Sequence, residues 1–366
     1  MPRVSDRQTH KPGRPTQSFA GFRIGYVPLI DATPLLVASE LGFFEREDLH
    51  VRLSRELGWG SIREKIVYGE LDGAPAPAGL LYSILLGTHA PACAVSTDLV
   101  LNLQGNAITL SKRLWEKGVR DASTFRLVVR SEAPRRPAIA VVSPFSSHHY
   151  LLREWLHIAG LNPERDVRIT VLPPPLVAEH MREGQIDGFC SGEPWNSGAA
   201  LSGDGWVVAT SAQLAPGHIE KVLLMRNDSK ARQPEAYSAL RRALVEACKY
   251  CDQPENRASL VDLLHERGIF PLPKEALANS LVGPFFNGFE VIEQRRPFLS
   301  FYRESANRAT RDRALWSIEG LVESHTLPLD VRSRNLCLDA FLDEEPPTHR
   351  KSAPTKVTPR AALASK

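Results

Sequence analysis

The chain has 366 residues, 43% hydrophobic and 24% charged, with a formal net charge of +3. That length supports two domains with cores of their own, and the small, dispersed charge excludes a nucleic-acid-binding surface, since no basic stripe is present. Five cysteines (Cys93, Cys190, Cys248, Cys251 and Cys337) make an odd count without a disulfide framework, which suits a reducing compartment.

From the N-terminus, residues 1–20 are polar, basic and proline-containing, and residues 344–366 form a charged, proline-bearing tail; both are expected to be disordered. The first segment lacks the apolar core of roughly 7–15 residues that a secretory signal needs, so a cytoplasmic location is expected. A periplasmic location is the alternative if the true start lies upstream and encodes such a signal. The longest apolar run, Ala78 to Leu86, falls short of the about 20 residues a spanning helix needs, and no membrane insertion is expected.

Between the ends, short apolar strands alternate with helical segments, the pattern of parallel α/β architecture. Phe22–Pro28 (FRIGYVP) is matched by Ala138–Pro144 (AIAVVSP), each a strand running through a polar loop into a helix. The helices close at Gly42 and Gly160, second strands follow in 49–53 and 166–172, and nearly the same hexapeptide recurs at 69–74 (GELDGA) and 184–189 (GQIDGF). Landmarks in one order at offsets of 115–118 residues read as a duplicated α/β unit, hence two lobes with a cleft between them. Asp72 and Asp187 hold equivalent places, which points to a structural role at strand starts rather than to an acid–base pair. Trp206–Thr210 and Glu220–Met225 read as returning strands. Helices are expected over Glu235–Tyr250, Glu255–Glu266, Lys274–Leu281 and Ala306–Glu323 from their apolar spacing, packing back on the first lobe. Cys248 and Cys251 form a CxxC inside the first of these helices, with no second ligand pair, and read as structural thiols. The expected division is residues 21–110 plus 224–343 for lobe one and 111–223 for lobe two.

Helix N-termini at the carboxyl ends of strands receive anions readily. Thr33 before Pro34, and Ser146 or Ser147, are placed to cap the two repeat helices that would face each other across the cleft. Trp59 sits in a glycine-flanked strand-to-helix turn, where its ring can wall a pocket or pack in the core. Asn106 offers an amide at a strand start. His148 opens a helix whose positive end disfavours a protonated ring, and His149 competes for its place. Lys221 is the cationic candidate. Gly192 lets a ligand approach the backbone, and Glu193 beside it is the one carboxylate noted. No nucleophile elbow, zincin, Walker or dinucleotide-binding motif is present, so an enzyme is not expected, and neither a metal nor a cofactor is implied.

Together, GYVPLIDATPLLVASELGFF, LGWGSIREK, GNAITLS, HHYLLREWL, IDGFCSGEPWN and GHIEKVL resemble the nitrate-binding family of periplasmic-binding-protein-like proteins, over about Phe22 to Leu327. That family holds the nitrate- and bicarbonate-binding components NrtA and CmpA of cyanobacterial ABC transporters and the cytoplasmic nitrate/nitrite sensor NasS. The resemblance implies a two-lobed type II periplasmic-binding-protein fold and a small inorganic anion, nitrate or nitrite, as ligand. It implies a pocket of Trp59, Asn106, His148, Gly192 and Lys221. Two departures bear on selectivity: Asn106 stands where the transporters commonly carry glutamine, and Ala74–Gly79 (APAPAG) lacks the family's usual polar residue and methionines. The implied partner is an RNA-binding antiterminator protein in a sensor, or an ABC permease in a transport receptor.

Overall fold

The computed structural model describes residues 21–292, 298–327 and 329–342, so the segments 1–20 and 344–366 expected to be disordered lie outside the described residues. Both repeats fold as parallel units on sheets of their own. In the first, β1 (Gly21–Tyr26) leads through the helix Thr33–Glu40 to β2 (His50–Arg55), and the helix Trp59–Val67 leads to β3 (Gly73–Pro77); β1 lies between β2 and β3, parallel to both. Two further strands follow, β4 (Val95–Ser96) and β5 (Val100–Gln104), and then β6 (Asn106–Ser111) opens the second sheet. There β7 (Ala138–Val141) lies between β8 (Arg168–Val171) and β9 (Gly188–Gly192), again parallel to both. β10 (Gly205–Thr210) closes that sheet against β6, and β11 (Ile219–Arg226) returns to the first.

The orders make the duplication explicit. One sheet runs β5-β11-β3-β1-β2, with the short strand Leu299–Ser300 outside β5, and the other runs β10-β6-β9-β7-β8. In each, the parallel trio is followed by an antiparallel strand that arrives from the other half of the chain, β11 on β3 and β6 on β9. The aspartates equivalent by sequence do the same work. Asp72 accepts the Arg23 backbone N–H at 2.8 Å, and Asp187 accepts that of Ala138 at 2.9 Å, each tying the third strand's entry to the first strand. β3 (GAPAP) and β7 (AIAV) are buried throughout, each flanked by a strand on either side within its sheet.

The chain changes sheets at Gly105 and again between β10 and β11. Gly105 has φ +91°, and a Cβ there would lie 2.7 Å from Leu299 Cδ1, so only glycine fits the turn. The divisions expected at 110/111 and 223/224 fall inside β6 and β11, because both strands begin at a sheet change rather than ending at one.

The helices expected after β11 are present at Pro234–Asp252, Pro254–Glu266, Lys274–Leu281 and Arg311–Glu323, the last starting five residues later than its apolar spacing suggested. They do not pack on the first lobe alone. Asn279 and Ser280 bond Ser197 in the second lobe's helix Trp195–Leu201, and Trp316 packs edge-on against Tyr150 of the helix Ser147–Ile158. The C-terminal helices therefore bridge the lobes. Cys248 and Cys251 are fully buried free thiols, as a structural role requires. No described helix is long and apolar enough to cross a membrane.

Candidate functional site

β11 enters its sheet through a double irregularity. Against β5, Ile219 pairs with Leu103, Lys221 with Asn102 and Val222 with Val100, so Glu220 has no opposite residue on one side of the slip and Leu101 none on the other. A bulge of this kind re-aims side chains that a regular strand would send to opposite faces. Here it lets the carboxylate of Glu220 bond the ammonium of its own neighbour, Lys221. Asp31, from the turn after β1, holds the same ammonium at 2.7 Å, and all three residues are buried.

Each charge is set by these neighbours. Burial works against the Lys221 ammonium, yet Asp31 and Glu220 keep its pKa above the ordinary lysine value. Glu220 is also buried, but Lys221 and the adjacent imidazoles pull its carboxyl down to about 2. Asp31 has Lys221 as its only hydrogen-bonding partner among the described residues, and burial pushes its carboxyl up to about 6. The pair of carboxylates corrects the sequence reading, which noted only Glu193 as an acceptor. Neither Asp31 nor Glu220 stands out in the sequence, although Glu220 lies inside the GHIEKVL motif.

The other lobe supplies a neutral polar wall. Asn106, first residue of β6, donates to Glu220 at 2.5 Å and to Ser147 Oγ at 3.2 Å, and its carbonyl oxygen meets His148 Nε2 at 2.8 Å. Ser147 Oγ also bonds Glu220. His148 is thus the histidine at the site, while Nδ1 of His149 turns away to the Pro144 carbonyl and Thr326. Burial above all pushes the His148 imidazole down to about 3, so it is neutral at pH 7, as expected, although desolvation rather than the helix end is the main cause. His218, missed in the sequence, faces Glu220 at 3.9 Å and stacks on Trp316.

The expected caps differ in detail. A short turn, Ile30–Ala32, precedes the first repeat helix, so Thr33 lies inside that helix and donates to the Ile30 carbonyl at 2.6 Å. Ser146 holds the N-cap position of the second helix, but its hydroxyl donates back to the Ser143 carbonyl. Both hydroxyls serve their own loops, and the helix starts meet the site through Asp31 and Ser147 instead.

Gly192 and Trp59 complete the set. Gly192 pairs with Asn106 across β9 and β6, and a Cβ on it would sit 3.4 Å from Asn106 Oδ1 and 3.6 Å from Asp31 Oδ2. Trp59 opens the helix Trp59–Val67, buried, with the Lys221 ammonium 5.3 Å from its ring centre. The five residues implied by the resemblance therefore come together between the lobes. Three buried ring nitrogens here have no hydrogen-bond partner: Trp59 Nε1, His148 Nδ1 and His218 Nε2. Among the described residues no group of three or more His, Cys, Asp or Glu is placed to hold a metal ion. A cavity of about 550 Å³ lies elsewhere, between β4 and the helix Pro234–Asp252, and shares no residue with this set.

The lobes are closed on one another. Ile30 N–H donates to the Glu193 carbonyl at 2.7 Å, and Trp195 Nε1 donates to the Pro28 carbonyl at 3.2 Å. Gly79, at the start of the helix Ala78–Leu85, meets Phe145 of the other lobe so closely that a Cβ would lie 2.3 Å from the Phe145 carbonyl oxygen. Gly79→Ala is expected to hold the cleft ajar while leaving both cores intact. Small-angle scattering should show a larger radius than wild type, and ligand affinity should drop about tenfold or more. An unchanged radius and affinity would show that the two lobes need not meet here.

Residues 17–265 match the model of the NMT1-like family, and the chain belongs to that family. It is 35% identical over 307 residues to the bicarbonate transport ATP-binding protein CmpC of Synechococcus elongatus, covering 83% of this chain and 45% of that protein. It is 36% identical over 304 residues to the nitrate import ATP-binding protein NrtC of Synechocystis, covering 81% of this chain and 45% of that protein. The chain thus spans 45% of the length of these curated relatives. In three dimensions it matches the crystal structure of the periplasmic nitrate-binding protein NrtA from Synechocystis, with a TM-score of 0.82 and 26% identity, over 88% of this chain and 87% of that one. The fold is accordingly the two-lobed α/β periplasmic-binding-protein architecture.

Proposed function

We propose that this chain is a binding protein, not an enzyme, that closes on a small planar monoanion, nitrate or nitrite, between its lobes. The observation that carries this reading is the unpartnered Trp59 Nε1, a donor buried beside the Lys221 ammonium. A buried donor left unpaired costs about 1–3 kcal/mol, which an anion oxygen placed there would recover. Nitrate is flat and weakly accepting, and suits one cation, a few neutral donors and an aromatic wall. Binding of nitrate or nitrite by calorimetry, weakened about tenfold in Trp59→Phe, is the expected result, since that variant keeps the ring and loses the N–H. Absence of binding, or capture of sulfate alone, would defeat the proposal.

Bicarbonate is the second reading, because Asp31 and Glu220 offer acceptors for its hydroxyl proton and several relatives are named for bicarbonate transport or binding. The same titration separates the two ligands.

The biological role we propose is that of a cytoplasmic sensor, in which closure changes affinity for an RNA-binding regulator protein. Five free cysteines, four of them buried, support a reducing compartment. Delivery of the anion to an ABC permease is the alternative. Cell fractionation decides the compartment, and regulator affinity that ignores nitrate would end the sensor reading.

A further inference from the structure

One lysine in the cleft faces two carboxylates. Among the described residues Lys221 carries the only positive charge set against Asp31 and Glu220, since the neighbouring imidazoles of His148 and His218 are held neutral by burial. The buried cluster therefore carries a net charge of about −1 before any ligand arrives, counted from ordinary protonation at pH 7. Adding a monoanion to it would place a second uncompensated charge in a site closed to water, where the cost is several kcal/mol.

The two carboxylates are not equivalent. Glu220 is held by Asn106, Ser147 and Lys221 at once, with both imidazoles within 4 Å, and has no freedom to leave. Asp31 bonds Lys221 alone, and its Oδ2 faces the bare Cα of Gly192, where a Cβ would sit 3.6 Å from it. A carboxylate is itself a flat anion with two acceptor oxygens, close in shape to nitrite. Asp31 occupies the ammonium that the ligand needs.

Resting on the reading of this cleft as a monoanion site, we propose that Asp31 is a displaceable internal counter-anion. The incoming anion takes over the Lys221 ammonium, and Asp31 takes up a proton from solvent as it lets go. The ion pair Asp31–Lys221 breaks, an O–H bond forms on the Asp31 carboxyl, and the net charge of the cluster is the same before and after. The neutral carboxylic acid can then donate its new hydrogen to the bound anion. Burial already pushes the Asp31 carboxyl up to about 6, which places the proton within reach at neutral pH. A dianion would need two such protons and is rejected, which makes Asp31 a specificity-determining residue.

Lys221 and Glu220 act most directly on the Asp31 carboxyl among the described residues, with the imidazoles and Glu193 packed around them. From β11 come Lys221, Glu220 and His218; from the helix Ser147–Ile158, His148; and from the loop after β9, Glu193. Glu193 is the competing proton acceptor, since burial pushes its carboxyl up to about 7, but its Oε2 is turned toward Ser197 N at 3.1 Å and Ser280 Oγ at 2.9 Å.

The test is nitrate titration by calorimetry at pH about 7.5 in buffers of different ionisation enthalpy. Nitrate binds no proton in this range, so any uptake belongs to the protein. Wild type and Glu193→Gln are expected to take up close to one proton per anion, and Asp31→Asn close to none. The wild-type affinity is expected to fall toward tenfold per pH unit above about 6, with Asp31→Asn flat over the same range. Nitrate binding by wild type without proton uptake overturns the proposal, as does uptake that persists in Asp31→Asn, and either leaves the monoanion reading standing. If neither protein binds nitrate, nitrite or bicarbonate from pH about 5.5 to 8.5, the monoanion reading itself fails and this inference falls with it.

Discussion

Lys221→Met is expected to lose nitrate binding by at least about 100-fold and to lower the melting temperature by roughly 5–10 °C. The first effect follows from removing the one ammonium at the site, since hydrogen bonds to charged groups are worth about 1.5–3 kcal/mol each. The second follows from what remains. Asp31 and Glu220 would then face one another in a buried cluster with no cation, and breaking a buried ion pair from one side costs about 3–5 kcal/mol. The two effects separate in a double variant. Adding Asp31→Asn to Lys221→Met removes one stranded carboxylate and is expected to restore much of the stability and none of the binding. Thermal melts and calorimetry on the three proteins check this. Nitrate affinity that survives Lys221→Met would mean that the anion sits elsewhere.

Stability is expected to stay nearly level between pH 7 and about 4.5 and then to collapse. The signs oppose one another in the upper window. His148 and His149 have ordinary values of 6.5 and are pushed by burial down to about 3 and about 4. The unfolded chain binds those protons first, so their contribution is lost as the pH falls below 6.5, with His218 acting in the same direction. Asp31 and Glu193 work the other way. Burial raises them from 3.8 to about 6 and from 4.5 to about 7, so the folded chain takes those protons first and acidification adds stability.

Each group moves the balance by about 1.4 kcal/mol per pH unit, so His148 and His149 roughly offset Asp31 and Glu193, and His218 leaves a shallow decline. Below 4.5 the balance fails. Glu193 stops contributing as its unfolded form protonates around 4.5, and Asp31 follows only around 3.8. Glu220, lowered from 4.5 to about 2, now joins His148 in losing stability as the pH falls. Once Asp31 is protonated in both states, below about 3.8, the net slope becomes on the order of 3 kcal/mol per pH unit. Urea unfolding at pH about 7, 5 and 3.5 checks the shape. A steep decline from pH 7 onward would show that Asp31 and Glu193 titrate as ordinary surface carboxyls.

Much of this architecture was legible in the chain before any coordinates. The matched strands at 22–28 and 138–144 announced two α/β lobes, because a parallel strand buried on both faces reads as a short apolar run and its helix as a spaced apolar stripe. Asp72 and Asp187 were assigned to strand starts because the repeat gave them the same address, and both hold the first strand's N–H. The sheet changes were less visible. β6 and β11 look like any other strands, and only pairing shows that each opens a sheet in the other half of the duplication. The C-terminal helices were recognisable one by one from periodicity, which carries no information about which lobe each one touches.

The sequence by itself showed the duplicated fold, because local hydrophobic period is a property of contiguous residues, and the family resemblance of its motifs implied Trp59, Asn106, His148, Gly192 and Lys221 as a set. Tertiary structure alone decided the charge of the site. In a regular strand adjacent residues point to opposite faces, so Glu220 and Lys221 read as one inward and one outward side chain. The slip of β11 against β5 turns both toward the cleft, and the turn after β1 brings Asp31 to the same ammonium from 190 positions away in the chain. Register and long-range approach set how many carboxylates meet one lysine, and neither is written in any local pattern.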